Sequence, residues 1–152
     1  MIIDERLSTY IDSISWDIPE YLKEVEKTAL EKEVPIIRRS MQSLISFLLT
    51  TRKPKAILEI GTAVGFSSML MSEYVSEKTT IDTIEKVPMR INDAKKNFKK
   101  YGKEKRINLI EGDALVELDR LVKDNKKYDF IFMDAAKGQY MNFLEYILKL
   151  LT

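Results

Sequence analysis

The chain has 152 residues, 25 Lys and Arg against 24 Asp and Glu for a net charge of +1, and neither cysteine nor histidine. That length predicts a single domain able to bury a real core, and the balance of charge singles out no class of partner. The missing residue types exclude disulfides, thiolate metal sites, cysteine nucleophiles, histidine general bases and every Ser-His-Asp triad. Catalysis by this chain must therefore use Asp, Glu, Lys, Tyr or a bound metal. No apolar run approaches the roughly 20 residues of a membrane span. The opening "MIIDERLSTYID" carries acids early and has no signal-peptide pattern. The reading is a cytoplasmic protein with no membrane partner.

The first 53 residues read as helices. Residues 4–16 form a short amphipathic pattern. Pro19 suits the first turn of a second helix, "PEYLKEVEKTALEKE", with Leu22, Val25, Ala29 and Leu30 at helical spacing. After a break at Val34 and Pro35, a third helix is predicted over Ile37–Thr51, with Met41, Leu44, Ile45, Leu48 and Leu49 on one face. Those apolar stripes serve either to cover a sheet or to form a dimer face.

After Pro54 the pattern changes, and residues 54–152 read as a separate core segment. "KAILEI", "TTIDTIE", "RINLIEGD" and "YDFIFMD" are predicted strands, each followed by a helical pattern. The second of these helices is stopped by Gly102. Alternation of this kind, with runs apolar on both sides, predicts an α/β fold with a doubly wound parallel sheet of four strands. Ligands of such sheets sit at the carboxyl ends of the strands. Those ends carry Glu59 to Gly61, Glu85, Glu111 to Asp113, and Asp134. Four acidic strand ends converging on one crevice is the most informative pattern in the sequence.

The stretch "ILEIGTAVGFSSM" passes from a strand through Gly61 and Gly65 into a helix. Gly61 allows close approach to the backbone and Gly65 a tight entry into the helix. Ser67 and Ser68 place hydroxyls at a helix N-terminus, which favours an anion. A plain strand-to-helix turn that needs small residues accounts for the glycines equally well. Glu85 is either an acceptor for ribose hydroxyls or a surface acid beside Lys86. Asp113 either accepts from an adenine amine or caps the helix starting at Ala114, and the two uses are compatible.

Taken together, E-x-G-x-x-x-G, an acid ending strand two and "GDA" after strand three resemble the class I S-adenosylmethionine-dependent methyltransferases, whose fold is Rossmann-like. The order and spacing of "EVPII", "ILEIGTAVGFSS", "TIE", "GDAL" and "DAAKGQY" narrow the resemblance. They resemble the metal-dependent O-methyltransferases related to catechol and caffeoyl-CoA methyltransferases, and among them the bacterial tRNA 5-hydroxyuridine methyltransferases. The resemblance implies S-adenosylmethionine as cofactor, with contacts at Ile37, Glu59, Gly61, Gly65, Ser67, Glu85, Asp113, Ala114 and Asp134. It places Ser67 near the cofactor carboxylate. It also implies that Asp134 binds Mg²⁺ or a similar divalent cation and that Lys137 is the base. A metal there would hold and acidify the acceptor oxygen.

The family pattern continues into a fifth strand whose Asp and Asn complete the metal site, and the sequence ends before them at Thr152. The expectation is a truncated chain with an intact cofactor half, an incomplete metal site and an apolar sheet edge at "YDFIFMD" that promotes self-association or dimerisation. The acceptor expected is 5-hydroxyuridine in tRNA, with a small catechol-like phenol as the alternative. Lysines 95, 96, 99, 100, 103 and 105 with Arg106 form one basic group, and Arg38, Arg39, Arg52, Lys53 and Lys55 another. Either group suits RNA phosphates or is a solvated face. Two other classes stay open, a nucleotide-binding oxidoreductase and a non-catalytic cofactor-binding module. The single-glycine turn opposes the first.

Overall fold

The computed structural model describes residues 5–14 and 17–152. Its elements run in the order α1 (Glu5–Ile14), α2 (Glu20–Glu31), α3 (Arg39–Arg52), β1 (Ala56–Ile60), α4 (Phe66–Glu73), β2 (Thr80–Glu85), α5 (Pro88–Lys100), β3 (Ile107–Glu111), α6 (Ala114–Lys123), β4 (Phe130–Met133), a 3-10 turn (Lys137–Gln139) and α7 (Tyr140–Leu150). The strands make one sheet in the order β3-β2-β1-β4, and every pairing is parallel. This is a Rossmann-like α/β fold, as the alternating pattern predicts.

Successive strand residues face opposite sides of a sheet, and each strand here is apolar on both. Ile57, Ile81 and Ile107 pack with Leu22, Val25, Leu49, Met69 and Phe98 from the helices of one face. Leu58, Ile60, Ile84 and Ile110 pack with Leu118, Leu121, Phe143 and Leu150 of α6 and α7 on the other. The N-terminal helices α2 and α3 thus cover the sheet and share a core with α4 and α5. Of the two uses open to their apolar stripes, that is the one realised by their buried faces.

Two details of those faces differ from the spacing. Leu30 is exposed, because α2 turns Leu22, Val25 and Ala29 to the sheet. In α3 the buried face is Gln42, Ile45, Ser46 and Leu49, while Met41 and Leu44 look outward. The rotation follows from Gln42, whose amide donates to the Ile37 carbonyl at 3.0 Å and to Glu26 Oε1 at 2.9 Å. Buried polar groups need such partners, and a purely apolar periodicity cannot anticipate them.

Element bounds shift by a residue or two. Helix α3 begins at Arg39, so Ile37 lies in the extended Pro35–Ile37 segment ahead of it. Strand β4 begins at Phe130 because Asp129 uses its carboxylate to accept the Lys55 and Ala56 N–H groups, at 2.8 and 2.9 Å. Gly102, at φ +65°, follows α5 in the left-handed conformation that ends helices. No helix among the described residues is long and apolar enough to cross a membrane.

Candidate cofactor site

With β1 central and the chain reversing direction between β1 and β4, the crevice of this sheet falls at their carboxyl ends. A cleft of about 560 Å³ opens there. Its walls come from the ends of all four strands and from the segment Pro35–Ile37, which reaches over from the helices. Ile37, Gly61, Ser67, Glu85, Asp113, Ala114 and Asp134 all line it. Glu59 and Gly65 do not, and each has a different task.

Gly61 sits at φ +103°, and a Cβ there would lie 2.3 Å from the Asp134 carbonyl oxygen. The main chain is pinned on both sides. Gly61 N–H donates to Ile84 O and Asp134 N–H to Ile60 O, both at 3.0 Å. Gly61 therefore lets the ends of β1, β2 and β4 close up beneath the cleft. Gly65, at φ +83°, would set a Cβ 2.4 Å from the Phe98 ring, so it serves the packing of the loop against α5. Between them Ala63 also takes a positive φ of +47°.

Glu59 is fully buried. Its Oε1 accepts from Ser67 Oγ, and its Oε2 accepts from Ser68 Oγ and, at 2.5 Å, from Thr83 Oγ1. Thr62 and Thr83 hydroxyls lie 2.6 Å apart. Burial pushes the Glu59 carboxyl up to about 7, with the three hydroxyls pulling the other way. A carboxylate out of water needs this many donors. The sequence pointed to Glu59 as a cofactor contact. In this structure its carboxyl fastens α4 to β1 and β2 from behind the cleft wall.

Glu85 is 7% exposed and faces the cleft. Its Oε1 accepts the Lys86 and Val87 N–H groups at 2.9 and 3.0 Å, and its Oε2 accepts Ala63 N–H at 2.9 Å. It thereby holds the glycine loop to the end of β2. A carboxylate has about four acceptor positions, so three backbone bonds leave room for a hydroxyl from the cleft.

Asp113 caps α6, accepting Leu115 N–H at 3.0 Å, and receives Lys86 Nζ on its other oxygen at 3.2 Å. The Leu115 bond and then the Lys86 ammonium hold its carboxyl below the usual range. Lys86 thus spans the ends of β2 and β3. Arg90 lines the same side of the cleft.

Asp134 is exposed at the end of β4. Hard divalent cations take six or more oxygen ligands. Among the described residues no group of three or more Asp, Glu, His or Cys could hold a metal ion. Glu59, behind it, is fully buried and engaged by three hydroxyls. The described residues do not by themselves make a metal centre at Asp134. The backbone of Lys137 opens the 3-10 turn, and its side chain lies outside the described residues.

Sequence reasoning did not find Thr83, Thr62 or Lys86. The signal for Thr83 was present. It is a polar residue at an inward position of β2, in register with Glu59, and two facing polar residues inside a sheet imply a shared hydrogen bond.

The fold and the glycine-loop cleft define the class as Rossmann-like methyltransferases. The chain belongs to the O-methyltransferase family, whose pattern it matches over residues 12–152. It is 31% identical to a caffeoyl-CoA O-methyltransferase of Stellaria longipes over 99% of this chain and 65% of the plant protein. Among solved structures it is similar to the SAH-bound methyltransferase PaMTH1 of Podospora anserina. That likeness has a TM-score of 0.85 and 33% identity, over 96% of this chain and 63% of that one. It is also similar to the O-methyltransferase TomG of Streptomyces achromogenes in complex with SAM, involved in tomaymycin synthesis. There the TM-score is 0.85 with 25% identity, over 100% of this chain and 71% of that one. The chain thus spans just under two-thirds of the plant relative and of PaMTH1.

Proposed function

We propose that this chain carries the S-adenosylmethionine site of an O-methyltransferase that acts on a small phenolic acceptor. The observation that carries the reading is the pairing of Glu85 with the Gly61 to Ser67 loop across one cleft. Glu85 keeps an acceptor position open for a ribose hydroxyl. Ile37, Ile60, Val87 and Leu115 supply apolar wall for a flat ring. Asp113 is placed to accept from an amine. Relatives crystallised with SAH and SAM support the same reading.

When bound, the cofactor would supply an electrophilic methyl group for transfer to the acceptor oxygen. The chain's part is to bind and align. Glu85 holds the loop and the ribose, Asp134 stands exposed at the rim, and Lys137 is the candidate to take the acceptor proton.

The phenol is favoured over a tRNA uridine by two observations. The plant relative is named for a caffeoyl ester. Three of the lysines that suit RNA phosphates are engaged in ion pairs: Lys95 with Glu111, Lys100 with Glu24 and Lys103 with Glu73. Calorimetric titration with S-adenosylhomocysteine tests the cofactor reading. Saturable binding that is lost in Glu85→Ala supports it. A folded sample that binds none overturns it.

A further inference from the structure

Helix α3 turns the more polar of its two stripes inward. Gln42 and Ser46 are 4% and 2% exposed, on the same buried face as Ile45 and Leu49. Each relies on hydrogen bonds to be there, Gln42 to Glu26 and the Ile37 carbonyl, and Ser46 to the Gln42 carbonyl at 2.8 Å. The outward stripe is Met41, Leu44, Phe47 and Leu48, spaced as one face of a helix. Leu44 is 49% exposed and Phe47 59%. Helix α1 packs beside α3 without covering that stripe. Its own Leu7, Tyr10 and Ile14, at matching spacing, are each more than half exposed. A contiguous apolar surface of this kind marks a place of contact. The charges around it have one sign. Helix α3 contains no acid. Arg38 precedes it, Arg52 ends it, Lys53 follows it, and all three are exposed. None of the three has a carboxylate partner among the described residues, whereas Arg39 pairs with Glu26 at 3.5 Å. On α1, Asp12 falls by helical spacing on the side away from Leu7, Tyr10 and Ile14.

We propose that the outward face of α3, with the apolar stripe of α1 beside it, docks on an anionic lipid surface. Leu44 and Phe47 enter the boundary between headgroups and acyl chains, and Arg38, Arg52 and Lys53 meet lipid phosphates. A second copy related by a two-fold axis would set this acid-free helix and its cations against their own kind. An anionic lipid supplies the opposite charge that the chain leaves out. The sequence reading expects no membrane partner, because no apolar run is long enough to span a bilayer, but a helix lying flat in the interface needs no such run. Arg38 directly follows Ile37, which lines the cleft, so the docking face and the cleft wall belong to one continuous segment. The inference stands apart from the S-adenosylmethionine reading and does not depend on it.

The test is flotation of the chain with vesicles on a density gradient. It compares phosphatidylcholine alone with phosphatidylcholine and phosphatidylglycerol at about two to one. The expected result at low salt is at least about tenfold stronger partition onto the anionic vesicles. Salt at about 0.5 M should remove most of that preference. Leu44→Ser combined with Phe47→Ser should weaken partition at least about tenfold. Its circular dichroism should match the wild type, because both side chains are exposed and neither lines the cleft. Arg38→Glu combined with Arg52→Glu should abolish the preference for anionic vesicles while the chain stays folded. A folded wild type that floats with neither vesicle overturns the inference, as does flotation unchanged by the two serines. A stable dimer in sedimentation velocity that the two serines dissociate, with no flotation, also overturns it and gives the face to a second copy. The wild-type comparison of the two vesicles decides the matter alone if a variant does not fold.

Discussion

Glu59 and Thr83 are register partners across the β1–β2 ladder, and Thr83 Oγ1 donates to Glu59 Oε2 at 2.5 Å inside the sheet face. An acid placed there binds its proton more tightly when the chain is folded. Its pKa rises from the ordinary 4.5 to about 7. Between those values the folded protein keeps a proton that the unfolded chain has lost. The stability linked to this group is complete below about pH 4.5 and declines as pH rises to about 7, by roughly 3 kcal/mol in all. Urea midpoints of the wild type and Glu59→Gln across that window should converge at the acid end and separate toward neutrality, with the variant the more stable. Parallel curves would refute the assignment.

Gly61→Ala should damage both fold and cleft. The added Cβ meets a backbone carbonyl and not a movable side chain, and φ of +103° is unfavourable for alanine. A loss of roughly 2–4 kcal/mol is expected, read as a fall in the denaturation midpoint, with S-adenosylhomocysteine binding lost in the fraction that folds. Gly102→Ala is the control. Nothing lies within 4 Å of its added Cβ, so only the strain of φ +65° remains, on the order of 1 kcal/mol.

Glu85→Ala removes the acceptor of three backbone N–H groups at once. Beyond abolishing binding, it should cost roughly 2–4 kcal/mol of stability. Glu85→Gln keeps an oxygen for one side of that array only, so it should fall between wild type and Glu85→Ala in both measurements. A Gln variant as stable as the wild type would show that the loop needs less holding than its geometry suggests.

Among the described residues strand β4 pairs with β1, its outer edge is bridged just ahead of it by Tyr128 and Leu151, and its residues Phe130 to Met133 are all partly exposed. Such an edge is a template for another strand. Light scattering of this 152-residue chain should show apparent mass rising with concentration. A constant monomer mass would dispose of the idea.

Much of this fold is legible in the sequence because its signals are local. Strand runs that are apolar at both parities, Gly102 after α5 and Asp113 before α6 state their roles within a few residues. The cleft is legible for a similar reason, since parallel strands bring all their carboxyl ends to one side. What is not legible depends on distant partners. Leu30, Met41 and Leu44 fit helical periodicity yet face outward, because Gln42 takes an inward position for its bonds to Ile37 and Glu26. Glu59 carries the right motif position, but its role depends on Ser67, Ser68 and Thr83 arriving from two other elements. Lys86 looks like a solvated neighbour of Glu85 until β3 brings Asp113 within its reach.

The amide of Gln42 joins the Pro35–Ile37 segment to α2 and α3, so the roof of the cleft is built by the helices while its floor is built by the sheet. A fragment cut at Lys53, where the composition changes, would keep every acidic strand end and the glycine loop but present them on an open shelf. Engineering a smaller cofactor binder from this chain therefore means carrying the helical roof along, or designing a substitute for it.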